Sequence, residues 1–398
     1  MRRSLPLTAG LLALACGLAF PEARGAEAEP QDMPAIIPDE SAGDWIVDRF
    51  AGNSTAGPTF FQGPAREVAG LGRCGACPLP DGRVLVPFPD GWAEVDAGGT
   101  LRLVAASAPV GGTTAQVTAS VAAWNPADKR VYTGGANCLV RLVERPDGPW
   151  EIEVVAGTPG KAGFADGPAQ DATFTRIDNV IINGRGAVFI LDYNQRIRRF
   201  ENGQVTTLCA ALRGGLADGP LDKARFNLIG LGGNLCAGED DDTLYLSDHW
   251  NFVVRRIDLK TMTVSSVAGM PKPKEWQPAK QTARERRYNR NSDGPALTWA
   301  SFNSGCAYVC WDPVHKALWC GGPDENRFRW LKGDQVLTVI GGKGADPWPR
   351  DRLGVPGETV KLVWNAVVAV DAQGRAYLSA SSEPNGLWRA YNRKEARP

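Results

Sequence analysis

Residues 154–210 read VVAGTPGKAGFADGPAQDATFTRIDNVIINGRGAVFILDYNQRIRRFENGQVTTLCA, and the fold follows from this stretch. Short runs rich in β-branched and aromatic residues, at 177–182, 187–191, 196–200 and 205–209, alternate with clusters of turn residues. That alternation is the mark of an antiparallel meander of four strands. Gly184-Arg185-Gly186 and Asp192-Tyr193-Asn194 make the first two turns. Asn202-Gly203 makes the third, Asn-Gly being the strongest short-range hairpin signal. One such sheet cannot bury both of its faces, so copies of it must stack.

The copies are present. Each ends in a run resembling VVAG: 45–52 (WIVDRFAG), 101–106, 151–157, 205–210, 263–269 and 336–342. The spacing, roughly 50 to 60 residues with one longer interval, falls in the range of propellers and solenoids. After Gly342 a last unit offers only three strands, near 364–370, 374–379 and 386–391. Its missing fourth strand stands at the other end of the chain, in 45–50, from Trp45 to Phe50. The expectation is an all-β, six-bladed β-propeller of four-stranded antiparallel blades spanning 45–392, its ring closed by that N-terminal strand so that no sheet edge is left over.

The pattern also resembles the NHL repeat. It is carried by Ala156-Gly157, Asp166-Gly167-Pro168, Ala172, Phe174, Val188, Asp192, Asn194 and Arg196-Ile197-Arg198, and again by Asp218-Gly219-Pro220, Ala224, Phe226, Asp248 and Val254-Arg255-Arg256. The resemblance implies a six-bladed propeller of the secreted bacterial type and says little about activity, because such folds host unrelated functions.

Residues 1–26 read as a secretory signal peptide: Met1-Arg2-Arg3, an apolar run at 5–20, and small-residue cleavage options at 25–28. Arg2-Arg3-Ser4-Leu5 partly matches a twin-arginine signal, and Ala13-Leu14-Ala15-Cys16 partly matches a lipobox. Residues 27–44 are polar and proline-bearing, an extended linker, and 393–398 form a tail. The expected location is periplasmic or extracellular, with no transmembrane segment in the mature chain. Lys and Arg number 44, balanced by 44 Asp and Glu, so nothing calls for nucleic acid as a partner. A monomer is expected.

Of the 9 cysteines, Cys16 leaves with the signal. Cys74, Cys77, Cys138, Cys209, Cys236, Cys306, Cys310 and Cys320 remain, an even number in an oxidising compartment. They are read as disulfide halves or buried thiols. Cys74-Gly75-Ala76-Cys77 has redox spacing but starts a strand rather than a helix, which is where thiols are activated.

In a propeller, one residue per blade, just before the innermost strand, points at the channel mouth. Aligned repeats place there Cys74, Ser120 or Val121, Asp178, Asn234, Cys306 or Ala307, and Asn365 or Ala366. The fold is similar to the gluconolactonase and strictosidine-synthase-like propellers, which implies a divalent cation such as Ca²⁺ at this ring. Asp178, with Asn179, and Asn234 would be its oxygen ligands. This chain departs from that pattern in having no Glu in the ring. The same face carries Asp192, Tyr193 and Asn194 in one loop and Asp248, His249, Trp250 and Asn251 in another. His249, with Asp248, is the candidate general base. With only 2 His, the chain cannot be a zinc-dependent amidating lyase.

The insertion at 271–292, PKPKEWQPAKQTARERRYNRNS, is basic and aromatic, and Trp276, Arg284, Arg286, Arg287 and Tyr288 are its candidate ligand contacts. Trp92, Trp250, Trp276 and Trp348 are read as loop tryptophans suited to sugar stacking. The functional expectation is a binding scaffold for a protein partner or an anionic or carbohydrate ligand at the channel mouth. The alternative is a metal-dependent lactonase or lyase using Asp178 and Asn234 on the cation and His249 or Asp248 as base.

Overall fold

The computed structural model describes residues 44–52, 63–67, 75–88, 91–106, 121–135, 137–146, 148–193, 196–210, 214–228, 234–270, 292–302, 305–322, 327–341, 355–360, 365–380 and 386–394. All lie in the unit Pro34–Pro398. The expected leader at 1–26, and the linker at 27–44 except Asp44, lie outside the described residues, as do 395–398 of the tail.

The described strands form six antiparallel sheets. Their innermost strands are Cys77–Pro78, Ala122–Asn125, Ile177–Ile182, Leu235–Ala237, Tyr308–Asp312 and Asn365–Val370. Each touches the next, and the last returns to the first. This is a six-bladed propeller around a central channel. Blade 6 is completed by the first strand of the chain: Trp45–Ala51 pairs antiparallel with Gly386–Asn392, from Trp45 opposite Asn392 to Ala51 opposite Leu387. Side chains bolt the seam, Tyr391 Oη donating to Asp48 Oδ2 at 3.0 Å and Lys394 Nζ meeting Asp44 Oδ2 at 2.9 Å. Trp45 is 2% exposed and packs edge-on against Trp319 and Trp330, at 5.0 and 5.5 Å between ring centroids, so the closing strand also joins blades 5 and 6 through their core.

The blades hold one feature more than the sequence suggested. In five of the six sheets a dipeptide, such as Gly167–Pro168 or Gly219–Pro220, adds a fifth strand outside the fourth. Gly167 pairs with Val205 and Gly219 with Val264. The glycine sits at φ +129° in one case and +120° in the other, a region that side chains disfavour. Proline, lacking an N–H, then ends the ladder at the solvent edge. The preceding aspartate fastens this cap. Asp166 Oδ2 accepts from the Thr207 amide at 2.8 Å, and Asp218 Oδ2 accepts from the Ser266 amide at 3.0 Å.

The VVAG-like run has its own geometry. In all six sheets the fourth strand slips register once, skipping Phe50, Val104, Val155, Leu208, Val267 or Val339. A bulge at one repeated place bends and twists the outer strand of each blade in the same way. In blades 3 and 4 a buried arginine stands opposite the bulge. Arg198, fully buried, donates from one nitrogen to Asp192 Oδ2 (3.1 Å) and Thr173 O (2.5 Å), and from the other to Asp166 Oδ1 (2.8 Å) and Ala165 O (2.5 Å). Arg255 repeats the pattern with Asp248 (2.8 Å), Arg225 O (3.0 Å), Asp218 (2.7 Å) and Ala217 O (2.8 Å). Each guanidinium lies over the repeat phenylalanine, Phe174 or Phe226, at 4.7 Å. The interblade loop, the second-to-third turn and the third strand are thus tied at one point.

Removing one partner of a buried, hydrogen-bonded pair leaves the other charged and unpaired, at a cost of about 3–5 kcal/mol. Arg255→Met therefore lowers the urea unfolding free energy by about that amount, whereas Arg199→Met, at a half-buried position on the blade's other face, changes it by less than about 0.5 kcal/mol. Equal effects of the two substitutions would contradict the assignment of Arg255 as a lock.

Candidate functional site

The channel encloses a cavity of about 1180 Å³ that runs the length of the innermost strands, from Asp178 at the start of one to Asn183 just past its end. Its mouth is chemically lopsided. Blades 3 and 4 supply Asp178, Asn179, Asn234, His249 and Trp250, whereas Val121, Ala307 and Ala366 take the corresponding places on blades 2, 5 and 6. Cys306, the alternative to Ala307, is fully buried instead. Cys74 and Ser120 lie outside the described residues.

Asp178 pairs with Arg176 Nε at 2.5 Å, and the Arg176 guanidinium lies over the Tyr193 ring at 4.8 Å. Sequence reading missed Arg176, which links the channel to the Tyr193 loop. Asn234 Oδ1 accepts from the Val309 amide at 3.1 Å, stitching blade 4 to blade 5. His249 and Trp250 are displayed by a 3-10 turn, His249–Asn251, which Phe252 closes at φ +61°. Gly305 makes room for it: a Cβ there would stand 2.5 Å from His249 O and 2.8 Å from its Nδ1. The His249 and Trp250 rings meet edge-on at 4.9 Å, and Trp250 is 50% exposed. Asn179 is different. It is 3% exposed, it lines the cavity, and its Oδ1 accepts no hydrogen bond.

Two candidates belong elsewhere. Asp192 and Asp248 are fully buried as the carboxylate arms of the arginine locks and do not line the cavity. Asp248 Oδ1 accepts from the Asn227 amide at 2.8 Å, and Oδ2 from Asn251 Nδ2 at 2.9 Å and Arg255 at 2.8 Å. Burial pushes its carboxyl above the ordinary range, and these donors pull the other way. With its lone pairs engaged, Asp248 has no reach to a substrate, which separates it from its neighbour His249. Trp92 is also corrected: it is 1% exposed within the strand Gly91–Val95, packed in the core rather than in a loop. Asn194, Trp276, Arg284, Arg286, Arg287, Tyr288 and Trp348 lie outside the described residues.

The donor set does not fit a divalent cation. Calcium takes six to eight oxygens and favours acidic sites. Here the one carboxylate, Asp178, is already paired with a guanidinium, and Asn234 has given its oxygen to a backbone amide. No group of three or more His, Cys, Asp or Glu suited to a metal comes together among the described residues.

Cys77, Cys236 and Cys310 also line the channel. The seven described cysteines are thiols rather than disulfide halves, so the expected cross-links are absent among the described residues. Burial pushes Cys77 and Cys310 up to about 12, and Cys236 well above its ordinary value. They line the wall as small apolar groups, not as nucleophiles.

No protein-family profile matches the chain, and no curated protein matches it. Solved structures do resemble it. One is a Bacteroides thetaiotaomicron protein of unknown function, 15% identical, with a TM-score of 0.58 over 87% of this chain and 75% of that one. Another is an auxiliary nutrient binding protein from Bacteroides ovatus, 12% identical, with a TM-score of 0.56 over 88% of this chain and 77% of that one. A third carries the same description in Bacteroides thetaiotaomicron, with a TM-score of 0.56 at 12% identity over 88% of this chain and 76% of that one. At these identities the likeness is one of fold, and the fold is the six-bladed propeller. Among the described residues no helix is long and apolar enough to cross a membrane.

The thiols give a pH dependence. In the unfolded chain they ionise near pH 9, whereas in the fold Cys77 and Cys310 keep their protons to about 12. Their raised values contribute stability that is complete below about pH 9 and is lost as pH rises toward about 12. The urea midpoint of a Cys77→Ala/Cys310→Ala variant therefore falls less steeply above pH 9 than that of the parent. Superimposable alkaline limbs would contradict the burial of these thiols.

Proposed function

We propose that the protein is a binding protein for a small, hydroxyl-rich ligand of the carbohydrate type, held at the channel mouth between blades 3 and 4. The observation that carries this reading is the Asn179 side chain, 3% exposed, on the cavity wall, with its oxygen unbonded. A buried acceptor without a donor costs about 1–3 kcal/mol, and a ligand hydroxyl recovers that loss. Asp178 beside it is a charged acceptor, the amide of Asn179 can donate, and Trp250 offers a half-exposed aromatic face. Acceptors, amides and an aromatic plane opposite a wall of small apolar residues suit a sugar ring, polar at its edge and apolar on its faces. The donors converge inside a concave channel, which favours a small ligand over a protein partner.

The likeness to auxiliary nutrient binding proteins is consistent with this reading, as is the leader-like 1–26 stretch, which we read as an export signal. We read the repeats as NHL-type and the protein as a monomer. A hydrolytic enzyme would need His249 as base and a cation at Asp178 and Asn234, and the misfit of that donor set argues for binding.

The test is a glycan array followed by calorimetry on the best hit, comparing the parent with Asn179→Ala. The substitution weakens binding at least about tenfold, equivalent to about 1.4 kcal/mol, without lowering the melting temperature. Tight binding by the variant, or no binding by the parent to any glycan, would overturn the proposal. Turnover of a lactone panel by the parent, lost in His249→Ala, would move the enzyme reading ahead.

A further inference from the structure

A second cavity, of about 450 Å³, opens between blades 6 and 1. It is bounded by the turn at Gly82, the turn through Asp96 and Gly99, and Arg375. These are first-to-second and third-to-fourth strand turns, so the groove lies on the face opposite the mouth lined by Asp178 and His249. Three arginines line it: Arg66, Arg375 and Arg389.

Arg66 and Arg375 are anchored through Nε, and one terminal nitrogen of Arg375 also donates to Gln373 Oε1 at 3.3 Å. Arg66 Nε donates to Arg49 O at 2.8 Å. Arg375 Nε donates to Asp371 Oδ2 at 2.6 Å, and the same oxygen accepts from Tyr377 Oη at 3.2 Å. The other oxygen of Asp371 is taken by the amides of Gln373 and Arg375, at 3.0 and 2.9 Å. Asp371 therefore holds Arg375 from behind and has no capacity left. Arg389 has a buried, unbonded Nε, and its guanidinium lies 5.4 Å from the Phe50 ring centroid and 6.0 Å from that of Tyr391. Neither Arg66 nor Arg389 forms an ion pair among the described residues, whereas Arg198 and Arg255 are answered by carboxylates. The wall also carries Glu67 and Asp96, and Asp96 Oδ1 already accepts from the Thr100 amide at 2.8 Å. Three guanidinium groups thus stand with Glu67 and Asp96 on the wall and Asp371 behind Arg375, beside the apolar surfaces of Phe50 and Tyr377.

We propose that this groove binds a small organic oxyanion, a phosphate or carboxylate gripped by the tips of Arg66, Arg375 and Arg389, with an apolar body resting on Phe50. Guanidinium forks match both oxyanions bidentately, and forks immobilised before binding lose less entropy when they close on a ligand. The cavity is within the size range of small-molecule sites. The site is independent of the channel mouth and of the ligand proposed there.

The test is isothermal titration of the full mature protein with phenyl phosphate and with benzoate, using inorganic phosphate and sodium chloride at matched ionic strength as references. The expected result is saturable binding of at least one aromatic oxyanion, tighter than inorganic phosphate. That binding weakens at least tenfold in Arg66→Gln and in Arg389→Gln and is unchanged in Asn179→Ala. Arg66 is exposed, so its variant folds even if that of Arg389 is impaired. Preference for phenyl phosphate or for benzoate identifies which oxyanion the groove reads. Binding no stronger than the chloride reference, or equal binding in Arg66→Gln, overturns the proposal.

Discussion

The rest of the structure depends on the pairing of Trp45–Ala51 with Gly386–Asn392. A ring of sheets has no hydrophobic reason to stop at six blades until its two ends meet. An open end would expose a strand edge and one uncovered sheet face. Here the meeting places the first and last strands in one blade and drives Trp45 into the cluster of Trp319, Trp330 and Trp388. The same event shapes both cavities. It fixes the circumference of the channel, and it brings Phe50, from the first strand, against Arg389, from the last, to make the arginine groove.

Inside each blade the organising device is local. The outer-strand bulge, the Gly-Pro cap and the buried arginine act at neighbouring positions of the same repeat. Together they satisfy the backbone of a loop that would otherwise carry open carbonyls into the core: Arg198 alone reaches Ala165 O and Thr173 O. Blade 5 repeats part of the arrangement: Arg329 donates to Ser292 O and Ser301 O, at 3.2 and 2.8 Å, over Phe302.

The fold was legible because the meander is written six times, and a period repeated along a chain is a stronger signal than any one strand. The Gly-Pro strands were not, since two residues are too few for alternation to register. Asp192 and Asp248 were misread because a polar residue in a turn looks the same whether it faces solvent or a buried partner. The corrective signal lay in the same motif, in Arg198 and Arg255, which recur at one place in the third strand of both repeats. Asp178, Asn179 and Asn234 line the channel because strand starts fix the innermost ring, and His249 and Trp250 reach it from the turn after a second strand. The arginine groove was invisible in sequence, as it joins Arg66 to Arg375 and Arg389 from the opposite end of the chain.

The functional account rests on a mouth that is polar on blades 3 and 4 and apolar elsewhere, with Trp250 at its rim. Fluorine NMR of the protein labelled with 5-fluorotryptophan, with the Trp250 resonance assigned by Trp250→Phe, reads that rim directly. On titration with a saccharide identified by array screening, the account predicts a saturable shift of the Trp250 resonance, while the buried Trp319, Trp330 and Trp388 stay fixed. A saccharide that binds without moving the Trp250 resonance, or that moves the buried resonances in its place, would contradict it.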